Sequence, residues 1–187
     1  MGNDAQIQDR VILNTVRLTR LREDPQGGLR NFDAAIEATT EVGDDSTVIG
    51  GISGYLSWSA WLPDLAANHS SPVSFAEVIA AAIEIGATMP TEPGSKMQAA
   101  LIITNFWLEP HWRGHRLSRR IVDQLIDLLL FTPETTLVLA YLEPQSNPTG
   151  RAHHQTAHTL QDAYTQAGFE QWRRSNAWWI RPDSLAW

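Results

Sequence analysis

Residues 99–130 read AALIITNFWLEPHWRGHRLSRRIVDQLIDLLL, and the fold turns on how this stretch divides. Ala99 to Leu108 is a nearly unbroken apolar run, the pattern of a buried strand. Pro110 ends it, because proline has no N–H for a ladder. A basic turn follows, Trp112-Arg113-Gly114-His115-Arg116. From Leu117 the apolar residues Leu117, Ile121, Val122, Leu125, Ile126 and Leu129 recur at helical spacing. The unit is therefore strand, basic turn, helix. The first turn of a helix carries unpaired N–H groups and the positive end of the dipole. Arg113, Arg116, Arg119 and Arg120 around that end predict a site for phosphate or pyrophosphate.

Moving downstream, Thr135–Leu142 is a second apolar strand, joined to the first through the helix, which implies a parallel βαβ unit. Glu143 to Gly150 is loop. His154 to Ala167 reads as a helix closed by Gly168 at the C′ position, and Phe169–Arg173 and Ala177–Arg181 as a last hairpin around Ser175-Asn176. Upstream, Val11 to Leu21 alternates as a strand with one wet face. Leu29 to Thr40 fits helix or strand. Gly43-Asp44-Asp45 resembles a hairpin turn into Ser46–Trp58, so a hairpin is the expectation. The three glycines of Ser46–Trp58 suggest a bulge or close packing. Residues 59–94 form an insertion, with a helix from about Ser74 to Ile85, and residues 1–9 are expected to be flexible.

Composition narrows the class. A chain of 187 residues with 43% hydrophobic and 19% charged residues suits one globular domain spanning 1–187. The absence of cysteine excludes disulfides, thiolate metal sites and a cysteine nucleophile. No signal-peptide pattern opens the chain and no apolar run reaches membrane-span length, so a cytoplasmic location with no membrane partner is expected. A net charge of −7 argues against a nucleic-acid partner and makes the basic turn a local exception suited to a small anion.

The segment Leu108-Glu109-Pro110-His111-Trp112-Arg113-Gly114-His115-Arg116-Leu117-Ser118 resembles motif A of the GNAT superfamily of CoA-dependent N-acyltransferases. Arg113 matches its first position and Leu117 begins its helix; Arg116 stands where the family has glycine, and Ser118 where it has glycine or alanine. Leu160 to Phe169 resembles motif B, a helix ending Tyr-x-x-x-Gly-Phe, matched by Tyr164, Gly168 and Phe169. The family's asparagine is replaced by Ala157. Together the motifs cover Ala99 to Trp187. The resemblance implies an α/β GNAT fold, its mixed central sheet splayed between the fourth and fifth strands. The helix inserted between the third and fourth strands elaborates on that plan.

It implies further that an acetyl or other acyl group passes from acyl-CoA to an amine, a small molecule or a peptide, by direct attack on the thioester. Backbone at Phe106, Trp107 and Leu108 would bind the carbonyl and pantetheine amide. Arg113, Gly114, His115, Arg116, Leu117, Ser118 and Arg119 would contact pyrophosphate, largely through N–H groups. Tyr164 would protonate the leaving thiolate. No carboxylate lies within Ala99–Leu108, so Glu143 is the candidate base, with Glu109 next and a water relay as the alternative. A catalytically idle module binding CoA or a partner protein is the rival reading. His153, His154 and His158 have metal-ligand spacing but no completing acid nearby, so no metal is expected. The tryptophans suit packing, an aromatic acceptor pocket or a homodimer face.

Overall fold

A computed structural model describes residues 12–23, 30–39, 46–57, 80–81, 84, 99–113, 115, 117–131, 136–141 and 157–180. They form an α/β arrangement around one seven-stranded mixed sheet. The strands are β1 (Ile12–Glu23), β2 (Arg30–Thr39), β3 (Ser46–Ser57), β4 (Ala99–Leu108), β5 (Thr136–Tyr141), β6 (Glu170–Gln171) and β7 (Ala177–Ile180). Helix α1 (Leu117–Leu128) follows β4, and α2 (Ala157–Gln166) follows β5. The order across the sheet is β1-β2-β3-β4-β5-β7-β6. All ladders are antiparallel except β4 with β5, which runs from Ala99↔Thr136 to Ile103↔Ala140.

The ambiguous segment before residue 40 is a strand. Phe32, Ala34, Ile36 and Ala38 are all buried, and the residues between them are half-buried, the alternation of a sheet face against a core. The glycines of β3 mark close approach. A Cβ on Gly54 would lie 1.9 Å from the Ile102 carbonyl oxygen, and one on Gly50 2.4 Å from that of Trp107. The expectation of close packing there holds, and bulges accompany it. The register with β4 slips between Ser53 and Gly54, leaving Thr104 as the extra residue of β4.

That bulge changes which side chains face which way. Ala99, Leu101 and Ile103 lie in one core cluster, and beyond the bulge it is Phe106 and Leu108 that join the same cluster. One inserted residue shifts the period-2 alternation by one step. On this face sit Ile121, Val122, Leu125 and Ile126 of α1 and Tyr164 of α2. Ile121 and Leu125 are fully buried, each contributing about 1.5–3 kcal/mol relative to exposure. The opposite face gathers Ala100, Ile102, Leu137, Leu139, Tyr141 and Ala177, with Ala81 of the 59–94 insertion packed against them. Ala80, Ala81 and Glu84 are helical, within the helix expected there. Glu84 pairs with Arg173 in the β6–β7 turn, so this part of the insertion is held on the face away from α1.

Both helices end in a Schellman motif. At α2, Gly168 N–H donates to Thr165 O and Phe169 N–H to Tyr164 O, with Gly168 at φ 90°. Glycine thus holds the C′ role expected of it. At α1 the same pattern runs Leu130 to Asp127 and Phe131 to Ile126, but the left-handed residue is Leu130 at φ 55°. Among the described residues no helix is long and apolar enough to cross a membrane.

Candidate functional site

The site grows from the end of β4. Past Ile103 the strand continues to Leu108, held on one side by β3 through Ile52↔Phe106, Gly51↔Trp107 and Gly50↔Leu108. Among the described residues no strand pairs with its other edge there. Phe106 and Leu108 are buried in the core and Trp107 is half-buried over Gly51. The side chains of Phe106 and Leu108 are thus withdrawn into the core, leaving their backbone and the half-buried Trp107 at the open edge.

The turn is braced from three directions. Glu109 N–H donates to Ile49 O at 2.8 Å, tying the strand end to β3. Pro110–Trp112 is one turn of 3-10 helix, with proline at its start where a missing N–H costs nothing. Trp112 packs its half-buried ring onto the core, with the His111 and His115 rings 5.4 and 6.5 Å away. Arg113 reaches back, its Nε–H donating to Leu108 O at 2.8 Å. His115 Nε2 lies 3.1 Å from His111 O. Residues 109–113 are thus held by backbone and side-chain contacts, while His111, His115 and Arg120 are exposed.

Helix α1 then begins at Leu117. Its first turn holds no acidic residue, so no carboxylate of that turn offsets the positive end of the dipole. The side chains of Leu117 and Ser118 are buried, so only their N–H groups could meet an anion there. The Arg119 side chain turns along its own helix to Asp123. Its Nε–H lies 2.9 Å from Asp123 Oδ1 and 3.0 Å from Oδ2, one helical turn on. Its Nη1 also sits at the end of α2, where a Cβ on Gly168 would come within 2.9 Å of it. Asp123 is only 7% exposed. Burial pushes its carboxyl up from the ordinary value, and the Arg119 charge opposes that shift. Gly114, Arg116 and Glu143 lie outside the described residues, as do His153 and His154.

Tyr164 stands at the third position from the end of α2. It is 2% exposed, with its ring centroid 5.4 Å from Phe169 and 6.1 Å from Trp178. Burial pushes its phenol above the ordinary range, so it is protonated at every physiological pH. Trp178 pairs in register with Ala140, the last residue of the parallel ladder. Tyr164 is thus brought near the end of the β4–β5 junction. The buried indole N–H of Trp178 has no hydrogen-bond partner among the described residues.

The sequence did not single out Asp123, and Trp178 was grouped with the other tryptophans. The four-residue spacing of Arg119 and Asp123 was the available signal for the first; nothing local marks the second. No protein-family model matches this chain, and searches of curated proteins and of solved structures found no similar protein.

Proposed function

We propose that the chain is a GNAT-type acyltransferase that takes an acyl group from acetyl-CoA or a related acyl-CoA to an amine. The observation that carries this reading is the strand order β1-β2-β3-β4-β5-β7-β6 with one parallel junction, β4–β5, among the described residues. In open sheets, ligands bind outside the carboxyl ends of parallel strands where neighbours part. Here β4 runs on past the ladder and leads through a braced basic turn into α1. Pantetheine would lie along the edge of Thr104–Leu108 that no described strand covers, and pyrophosphate at the first-turn N–H groups of α1.

In this reading the amine attacks the thioester carbonyl, the C–S bond breaks, and CoA leaves as thiolate. Backbone N–H at the end of β4 steadies the carbonyl oxygen as charge develops. Reference values of ~10 for a phenol and ~8.5 for a thiol make proton transfer from Tyr164 uphill by about 2 kcal/mol. Burial enlarges that gap, unless the departing thiolate is desolvated beside it. Tyr164 therefore serves chiefly as hydrogen-bond donor to the sulfur. The base is Glu143, with Glu109 next, or a water relay.

The near-complete burial of Tyr164 also favours a second reading, a module that holds CoA without turnover. Calorimetry with acetyl-CoA, followed by turnover on a panel of amines, tests both. Binding with turnover is expected. Binding alone selects the module, and no binding rejects both.

A further inference from the structure

Two residues in the first turn of α1 bear positive charge, and they point to different places. Arg120 is exposed. Arg119 lies over the opposite end of another helix. The reason is electrostatic: near the N-terminus of its own helix a guanidinium meets the positive pole, while at the C-terminus of α2 it meets the negative one. Asp123, nearly buried, completes the arrangement, since a charge taken from water needs a partner. Gly168 leaves room for it in two ways, by its left-handed backbone and by having no Cβ to meet Nη1.

We infer that Arg119 is a positioning residue: with Asp123 it latches the C-terminal turn of α2, and with it Tyr164, against α1, and it does not grip phosphate. The Schellman turn makes the coupling direct. Tyr164 O receives the Phe169 N–H, and the two rings meet at a tilt of 49° with centroids 5.4 Å apart. Whatever holds Gly168 therefore sets where the Tyr164 side chain sits relative to the helix that follows the basic turn. The catalytic consequence rests on the acyl-CoA reading; the latch itself does not.

The test compares the parent with Arg119→Gln and with the double variant Arg119→Gln/Asp123→Asn, which leaves no unpaired buried carboxylate should the single variant fold poorly. Three quantities are measured: acetyl-CoA affinity by calorimetry, kcat and KM on an amine that the parent accepts, and amide exchange at Gly168 and Phe169 relative to β2 and β3. The expected result is affinity within about threefold of the parent and kcat lower by about tenfold or more at unchanged KM for acetyl-CoA. Exchange should rise at Gly168 and Phe169 alone, whereas general destabilisation would raise it in the sheet as well. A fall in affinity of about tenfold or more, as loss of a charged hydrogen bond to phosphate brings, with unchanged exchange at Gly168, overturns the inference. Unchanged exchange with unchanged affinity overturns it too. If the parent binds no acetyl-CoA the acyl-CoA reading falls, and the exchange measurement still decides the latch.

Discussion

Leu130 is a leucine in a glycine's place. It is 88% exposed and left-handed, a conformation costing an L-residue about 1–2 kcal/mol. Leu130→Gly removes that strain and surrenders almost no burial, offset by about 0.5–1 kcal/mol of added chain entropy. A rise in melting temperature of about 1–4 °C is expected, and a fall would mean the turn is not strained. Glu37 offers a test by pH. Hydrogen bonds from Arg17 hold its carboxyl below the ordinary value. A depressed pKa stabilises the fold above the unfolded value near ~4.3 and loses that contribution as pH falls through the folded value. The stability difference between parent and Glu37→Gln should therefore be largest near neutrality, about 0.2–1 kcal/mol for so exposed an arginine, and shrink below pH ~4. A difference that grew in acid would refute the assignment. At Tyr164, removing the hydroxyl with Phe takes away the hydrogen-bond donor to the sulfur and is expected to lower the rate by about 10²–10³-fold with acetyl-CoA affinity kept. A fully active variant that melts lower by only about 0.5–1.5 kcal/mol would return the residue to the core.

Among the elements, β3 and β4 set the limits on each other. Gly54→Ala would place a methyl against the Ile102 backbone, which cannot swing aside, whereas Gly51→Ala meets the Trp107 ring, which can. The first should cost about 3 kcal/mol or more in denaturant unfolding and the second less; the reverse order would contradict the close approach described. These elements also show how far the sequence could be read. The alternation Phe32-Ala34-Ile36-Ala38 decided β2 once a turn signal followed it, and the apolar spacing from Leu117 decided α1, because each pattern is local. The bulge at Thr104 was hidden, since in Ala99–Leu108 nearly every residue is apolar and no alternation exists to be interrupted. Arg119 was grouped with its neighbours because the helix end at Gly168 comes near it only after folding. Tyr164-x-x-x-Gly168-Phe169 disclosed the helix end in full, yet not the burial of the phenol, which depends on Trp178 from another strand.

At the scale of the molecule, two antiparallel ribbons, β1–β4 and β5–β7, meet along one parallel ladder. During synthesis these ribbons do not arrive together. The leading hairpins can close as they emerge, but the outer edge of β4 must wait for α1 and β5 to be made. That edge is Ala99 to Ile103, buried on both faces in the finished protein. For the interval between Ile103 and Thr136, a nascent chain exposes apolar strand with unsatisfied N–H and C=O groups, the state most open to pairing with another chain. A fragment ending at Phe131 is accordingly expected to sediment, or to remain bound to a chaperone, at concentrations where the full chain does not. If that fragment stayed dispersed and monomeric, the parallel ladder would not be what protects the edge. The seam at which a ligand is proposed to bind is thus also an edge that stays open until β5 is made.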